Sequence, residues 1–252
     1  MRSSVAPSLQ ILFALADAAA ELSRIAVCGA WERWLGPQRF GRHWALLQRS
    51  GWVAAPSTAG NLSRVLRLTA AGRLAAAGGR DPEAQWDRSW DGRWRVALFD
   101  IPEQRRALRV KLRRRLAELG FGYLQNSVWV SPDPCERLQA LVRDLSGEAE
   151  SFSFIEARPC AGETDADVVK GAWSFPAINR NYANYLEVLK HQPRRIDGVA
   201  ARRSWLQVEW KAWLKAVRSD PLLPEPLLPT PYLGREAWRQ RCSALRHLIR
   251  AG

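Results

Sequence analysis

Histidine is scarce in this 252-residue chain, and its three copies, His43, His191 and His247, stand far apart. A histidine-based triad or an imidazole zinc site is therefore not expected. The four cysteines (Cys28, Cys135, Cys160, Cys242) show no paired C-x-x-C spacing. With no secretory leader before them, they read as reduced cytosolic thiols rather than a disulfide framework. Long apolar runs are missing as well. The stretch from Leu9 to Ala20 carries Asp17 and is too short to cross a bilayer, so it reads as a helix of a soluble, cytoplasmic protein with no membrane partner. H-E-x-x-H, a Walker loop, a G-x-S-x-G elbow and a dinucleotide glycine fingerprint are all absent. No catalytic residue, metal or cofactor is assigned on these grounds, and the chain is read as a non-enzyme.

What is abundant is positive charge and tryptophan. The formal charge is +13, made of +5 over residues 1–86, zero over 87–172 and +8 over 173–252. Both ends are electropositive, as a phosphate-binding protein needs, although an arginine-favouring coding bias accounts for part of the excess. Thirteen tryptophans point to aromatic anchors in several small cores. The length is that of two or three compact units.

The N-terminal third reads as three helices followed by a β-hairpin. Leu9, Leu12, Phe13 and Leu15 mark the first helix, and Trp31, Trp34 and Leu35 the second. The third opens at Pro37 and puts Phe40, Trp44 and Leu47 on one face, with Gln38, Arg39, Arg42, His43 and Arg49 on the other. Two short strands follow, one from Trp52 and Val53, the other through Val65, Leu66 and Leu68, ending at Thr69, a cap for the next helix. Three helices and a hairpin are the order of a winged helix-turn-helix, whose third helix enters the major groove.

Residues 79–91 read as a linker carrying two tryptophans. Strand and helix then alternate. A strand has Trp94, Val96 and Leu98 alternating with Arg93 and Arg95, and a helix carries a stripe of Leu108, Leu112, Leu116 and Leu119. One strand is expected from Gly122 to Pro132, a helix from Pro134 to Gly147, a strand through Phe152 and Phe154, and a further short strand near Asp167 to Val169. That alternation predicts a ferredoxin-like α+β domain. From Trp173 on, the pattern is helical, with a long helix from Ala200 to Val217 and an amphipathic one closing the chain after a Pro-rich crossing segment. The resulting reading is an α+β chain with a winged helix-turn-helix domain at 1–86, a ferredoxin-like central domain at 87–172 and a helical C-terminal domain at 173–252, the last a candidate for effector binding and dimerisation.

The wording of three segments carries a resemblance. WDGRWRVALFDIPEQRRALRVKLRRRLAELGFGYLQNSVWVSP closely resembles the central segment of the PaaX family of bacterial repressors, SGWV…SRVLRLTAAGR that family's wing, and DPLLPEPLLPTPYLGREAW its C-terminal signature. Where the family has Trp before the C-terminal Gly, this chain has Tyr232-Leu233, and the acidic residue of QVEWKAW is Glu209. The resemblance implies a sequence-specific repressor of an aromatic-acid operon such as that for phenylacetate. It also implies a homodimer that binds a double-stranded operator and is released by an aryl-CoA thioester. The central domain is similar, too, to the small ferredoxin-like subunit of the CRISPR spacer-integration complex, which in some members is a metal-dependent nuclease.

Gln38, Arg39, Arg42, His43 and Arg49 are the candidates for DNA contact on the recognition helix, since arginine forks match guanine and glutamine matches adenine. Arg64 and Arg67 on the wing are candidates for phosphate. The cluster from Arg105 to Arg115 fits either DNA contact or a surface laced with ion pairs. Asp100 ends a strand where the nuclease relatives place a metal-binding carboxylate, but it is read here as a structural group bonded to the start of the following helix. Tyr182, Tyr185, Arg202, Arg203 and Trp205 are the effector candidates, cations for phosphates and aromatics for the aryl ring, against the plainer reading of a helical core.

Overall fold

The computed structural model describes residues 41, 45–53, 69–134, 151–193 and 198–250, which form a mixed α+β structure. The helices expected at 8–20 and 31–35, most of the expected hairpin, and all but Pro134 of the helix expected from Pro134 to Gly147 lie outside the described residues. A helical stretch at 45–49 is followed by α1 (Ala70–Ala76), α2 (Pro82–Trp86), β1 (Trp94–Asp100), α3 (Arg106–Glu118), β2 (Gly122–Gln125), β3 (Val128–Ser131), β4 (Ser151–Ala157), α4 (Asp165–Ala172), α5 (Phe175–Lys190), α6 (Gly198–Ser219) and α7 (Gly234–Arg250). The described residues divide into two compact units. One takes those within Met1–Pro82, Asn179–Ser219 and Leu233–Gly252, the other those within Glu83–Ile178 and Asp220–Tyr232.

The second unit is built on one four-stranded sheet in the order β2-β3-β1-β4, each neighbouring pair antiparallel. With α3 crossing from β1 to β2, this is the ferredoxin-like order. The alternation of β1 puts Ala97 and Phe99 on the face toward α3, with Trp129 paired beside Ala97 and Phe154 on its other side. In the sequence, Trp94, Val96 and Leu98 alternate with Arg93 and Arg95. The structure buries Ala97 and Phe99, leaves Val96 and Leu98 half-buried, and buries Trp94 through its rings against Trp90 and Trp173. Arg95 stays on the inward side at 5% exposure. It does so because its guanidinium forks onto Asp91 at 2.8 and 2.6 Å and bonds the Pro132 carbonyl. That fork holds the Asp91 carboxyl below the usual carboxylate range.

Leu108, Leu112 and Leu116, four residues apart, form the stripe that seats α3 on the sheet beside Phe121. Each buried leucine contributes about 1.5–3 kcal/mol. Past the stripe the helix stops at Gly120, at φ +88°, with Gly120 N–H donating to Ala117 O and Phe121 N–H to Leu116 O. A left-handed residue of this kind closes the last turn and releases the chain toward β2.

Two sequence expectations are corrected here. The single strand expected from Gly122 to Pro132 is a hairpin, β2 and β3, because Asn126 takes φ +41° and turns the chain. The short strand expected near Asp167 to Val169 is α4. The Thr164 hydroxyl accepts from Asp167 N–H while Thr164 N–H donates to the Asp167 carboxylate at 2.9 Å, a reciprocal capping box that starts a helix. The linker also carries structure, since α2 places Trp86 in the core of this unit. Trp86 Nε1 donates to the Tyr232 hydroxyl at 2.8 Å, which in turn donates to Asp220 Oδ2 at 2.5 Å. Arg88 adds an ion pair to Asp133 at 2.6 Å and a bond to the Leu222 carbonyl, so the Pro-rich segment is pinned at both ends.

On the other side of the sheet α4 lies over β2. A Cβ on Gly122 would stand 2.5 Å from the Trp173 ring and 2.7 Å from the Ala172 methyl, closer than any real contact. Gly122→Ala is therefore expected to cost about 1–3 kcal/mol by overpacking, read as a lowered urea midpoint with an unchanged m-value.

Candidate nucleic-acid interface

The described part of the N-terminal region flanks residues 54–68, which hold most of the expected hairpin and lie outside the described residues. Leu47 is buried on the stretch 45–49, Arg49 is exposed, and Gly51 at φ +68° ends the helix. Thr69 joins the far end of the hairpin segment to the near end. Its N–H donates to Trp52 O at 3.0 Å, its hydroxyl to Gly51 O at 2.7 Å, and that hydroxyl accepts from Gly72 N–H at 3.0 Å. It thus caps α1 as its side chain suggests. Gln38, Arg39, Arg42, His43, Arg64 and Arg67 lie outside the described residues.

The effector candidates fall in the helical unit. Tyr182 and Tyr185 are 0% exposed, and Trp205 is buried with its indole N–H donating to Val188 O at 3.0 Å. Arg202 and Arg203 lie on α6, and their side chains are outside the described set. What the structure brings together is Tyr185 with Glu209 and Arg241. The Tyr185 hydroxyl donates to Glu209 Oε1 at 2.7 Å, and Arg241 Nε donates to the same oxygen at 3.0 Å. Both charged groups are 0% exposed. The guanidinium stands 5.1 Å from the centre of the Trp213 ring and 5.7 Å from those of Trp210 and Trp238. An ion pair taken from water is costly, and the three aromatic faces return part of that cost to the cation. Burial, reinforced by the Glu209 charge, pushes the Tyr185 hydroxyl well above its ordinary value. Sequence reading noted Glu209 and Tyr185 but not Arg241. The available signal was the i, i+3 spacing that puts Arg241 beside Trp238 on the apolar side of this amphipathic helix.

The most exposed basic surface among the described residues is α3. Arg106, Lys111, Arg113, Arg114 and Arg115 are exposed around Val110, which is 60% exposed. Arg114 and Arg115 both reach one carboxylate, Glu118, at 3.7 and 3.0 Å. Arg113 lies over the Tyr123 ring at 5.7 Å, and Arg109 turns inward to the Ile101 carbonyl. Asp100 does not bond the helix start. Pro102 and a 3-10 turn at Glu103–Arg105 intervene, and neither helix start has a side-chain cap. This corrects the structural role expected for it.

Residues 87–169 match the family model described as the PaaX protein central Cas2-like domain. The chain is also similar to a solved structure from Mycobacterium tuberculosis described as an uncharacterized protein, Rv0674, with a TM-score of 0.61 and 20% identity over 97% of each chain. No curated protein matches it. No described helix is long and apolar enough to cross a membrane.

Arg241→Ala is expected to cost about 3–5 kcal/mol by stranding the Glu209 carboxylate, whereas Glu209→Leu with Arg241→Met together cost far less in the same urea titration. Tyr185→Phe gives a pH signature. Above about pH 10 the unfolded chain ionises Tyr185 while the folded one keeps its proton. The wild type then loses stability with rising pH and the variant does not, so the gap between their midpoints narrows.

Proposed function

We propose, from the match of residues 87–169 to the PaaX central Cas2-like domain, that the chain is a cytoplasmic, sequence-specific transcriptional regulator of the PaaX type. In this reading it represses an aromatic-acid operon of the phenylacetate kind, binds as a homodimer to a palindromic operator, and is released by an aryl-CoA thioester. The match over residues 87–169 carries this reading. Support comes from the ferredoxin-like strand order, from the net charge of +13, and from the bonds of Thr69 to Gly51 and Trp52, which fit the expected hairpin between them.

The recognition helix would present Gln38, Arg39, Arg42, His43 and Arg49 to the major groove, with Arg64 and Arg67 on the wing reaching backbone. For the thioester, Arg202 and Arg203 would take the phosphates. Tyr182, Tyr185 and Trp205, all buried, are the candidates for the aryl ring. The sequence blocks 1–86, 87–172 and 173–252 are proposed as the functional divisions of DNA reading, central scaffold and effector response. A second reading, a metal-dependent nuclease, draws on Asp100, which is exposed at the end of β1.

Fluorescence anisotropy against DNA upstream of the chain's own gene separates these readings. The regulator binds that duplex at least about a thousandfold more tightly than unrelated DNA, with a steep salt dependence, and loses affinity with one member of an acyl-CoA panel. Equal affinity for every duplex sinks it. Cleavage that requires Mg²⁺ or Mn²⁺ and vanishes in Asp100→Ala establishes the nuclease instead.

A further inference from the structure

We infer that the outer face of α3 is a second phosphate-binding surface, which holds duplex DNA by its backbone without regard to base sequence. The identity of the partner rests on the DNA-binding reading above. The face itself rests on what α3 carries and what it lacks.

Seating α3 on the sheet needs only Leu108, Leu112 and Leu116. Nothing in that packing asks for seven basic residues between Arg105 and Arg115, yet the helix tolerates three unfavourable placements to hold them. Lys111 faces Arg114 and Arg115 at i+3 and i+4, and Arg109 faces Arg106 and Arg113 at the same spacings, so like charges repel along the helix. The first turn has no acidic residue, while Arg105 and Arg106 stand at the helix start, where the dipole is already positive. Finally, Arg106, Lys111 and Arg113 have no carboxylate within ion-pair distance among the described residues, and Glu118 alone serves Arg114 and Arg115. A solvated face laced with ion pairs would look different.

The geometry suits a duplex. From residue 106 to 115 the helix rises about 13 Å, a length over which B-DNA presents about eight phosphate charges. Between the cations the face shows only Ala107, Val110 and Ala117, small enough to let a backbone approach. Arg113 is held over the exposed Tyr123 ring, which orders its guanidinium before any ligand arrives. An acidic protein partner fits less well. Protein interfaces have an apolar core inside a polar rim, whereas Val110 and Tyr123 are the large apolar side chains exposed here.

The test compares wild type with Arg106→Gln/Lys111→Gln/Arg113→Gln by anisotropy from about 50 to 200 mM salt, on the operator and on a scrambled duplex. The triple variant is expected to bind both about tenfold more weakly and to flatten the salt slope by about 2 to 3, leaving their affinity ratio unchanged. Glu118→Gln, which removes the carboxylate that pairs Arg114 and Arg115, moves affinity the other way. Circular dichroism and the thermal midpoint report folding, and the midpoint is expected to hold or rise as like charges are removed. Unchanged affinity and slope in the triple variant would overturn the inference even if the operator is recognised, and would leave an acidic protein as the partner to seek. A wild type that ignores operator sequence but loses salt-dependent binding in the triple variant supports the face while ending the regulator reading.

Discussion

The three leucines that fasten α3 to the sheet decide what the central domain shows to its surroundings. Leu108, Leu112 and Leu116 are spaced so that one side of the helix is wholly committed to Ala97, Phe99 and Trp129. Apart from Arg109, which reaches back to the Ile101 carbonyl, the remaining positions are turned away from the core by the same rotation of 100° per residue that brings the leucines into line. The arginines of 105–115 therefore need no individual explanation for being outside. They need one for being there together, since the domain has as many acids as bases and, among the described residues, only Glu118 pairs with arginines of α3.

The helical unit solves a different problem, that of burying charge. Glu209 and Arg241 meet where water does not reach, with Tyr185 as a third member and three indole rings around the guanidinium. Glu209 Oε2 accepts no hydrogen bond among the described residues, so the network is incompletely satisfied on the carboxylate side. Such a pair adds little net stability compared with an apolar substitute, but it is unforgiving of a mismatched register between α6 and α7. The tryptophans, numerous in the sequence, find their use here: Trp213 alone meets Tyr182, Tyr185, Trp238 and the Ala77 carbonyl.

Much of the fold was legible without coordinates because its signals are local. The 3.6-residue spacing of leucines marked α3, and the alternation around Trp94 marked β1. The helix expected from Ala200 to Val217 runs from Gly198 to Ser219. The errors were local as well. A hairpin was taken for one strand because Asn126-Ser127 is a weaker turn signal than Asn-Gly. α4 was taken for a strand because its Val168-Val169 pair outweighed the capping box from Thr164 to Asp167.

By itself the sequence determined most element types among the described residues, the amphipathic side of α3, the wording of its central segment and the charge available for a polyanion. Only the tertiary structure decided the strand order, which of the two faces of β1 is buried, and the meetings of Tyr185 with Glu209, Glu209 with Arg241 and Trp86 with Tyr232. Periodicity reports the environment of a residue averaged along its own element. A contact between residues 32 or 146 positions apart depends on how separate elements pack, and no local spacing encodes it. The same holds for the ionic partners of α3. Composition counted equal numbers of acids and bases in the central domain, while among the described residues Arg106, Lys111 and Arg113 have no acid within ion-pair distance.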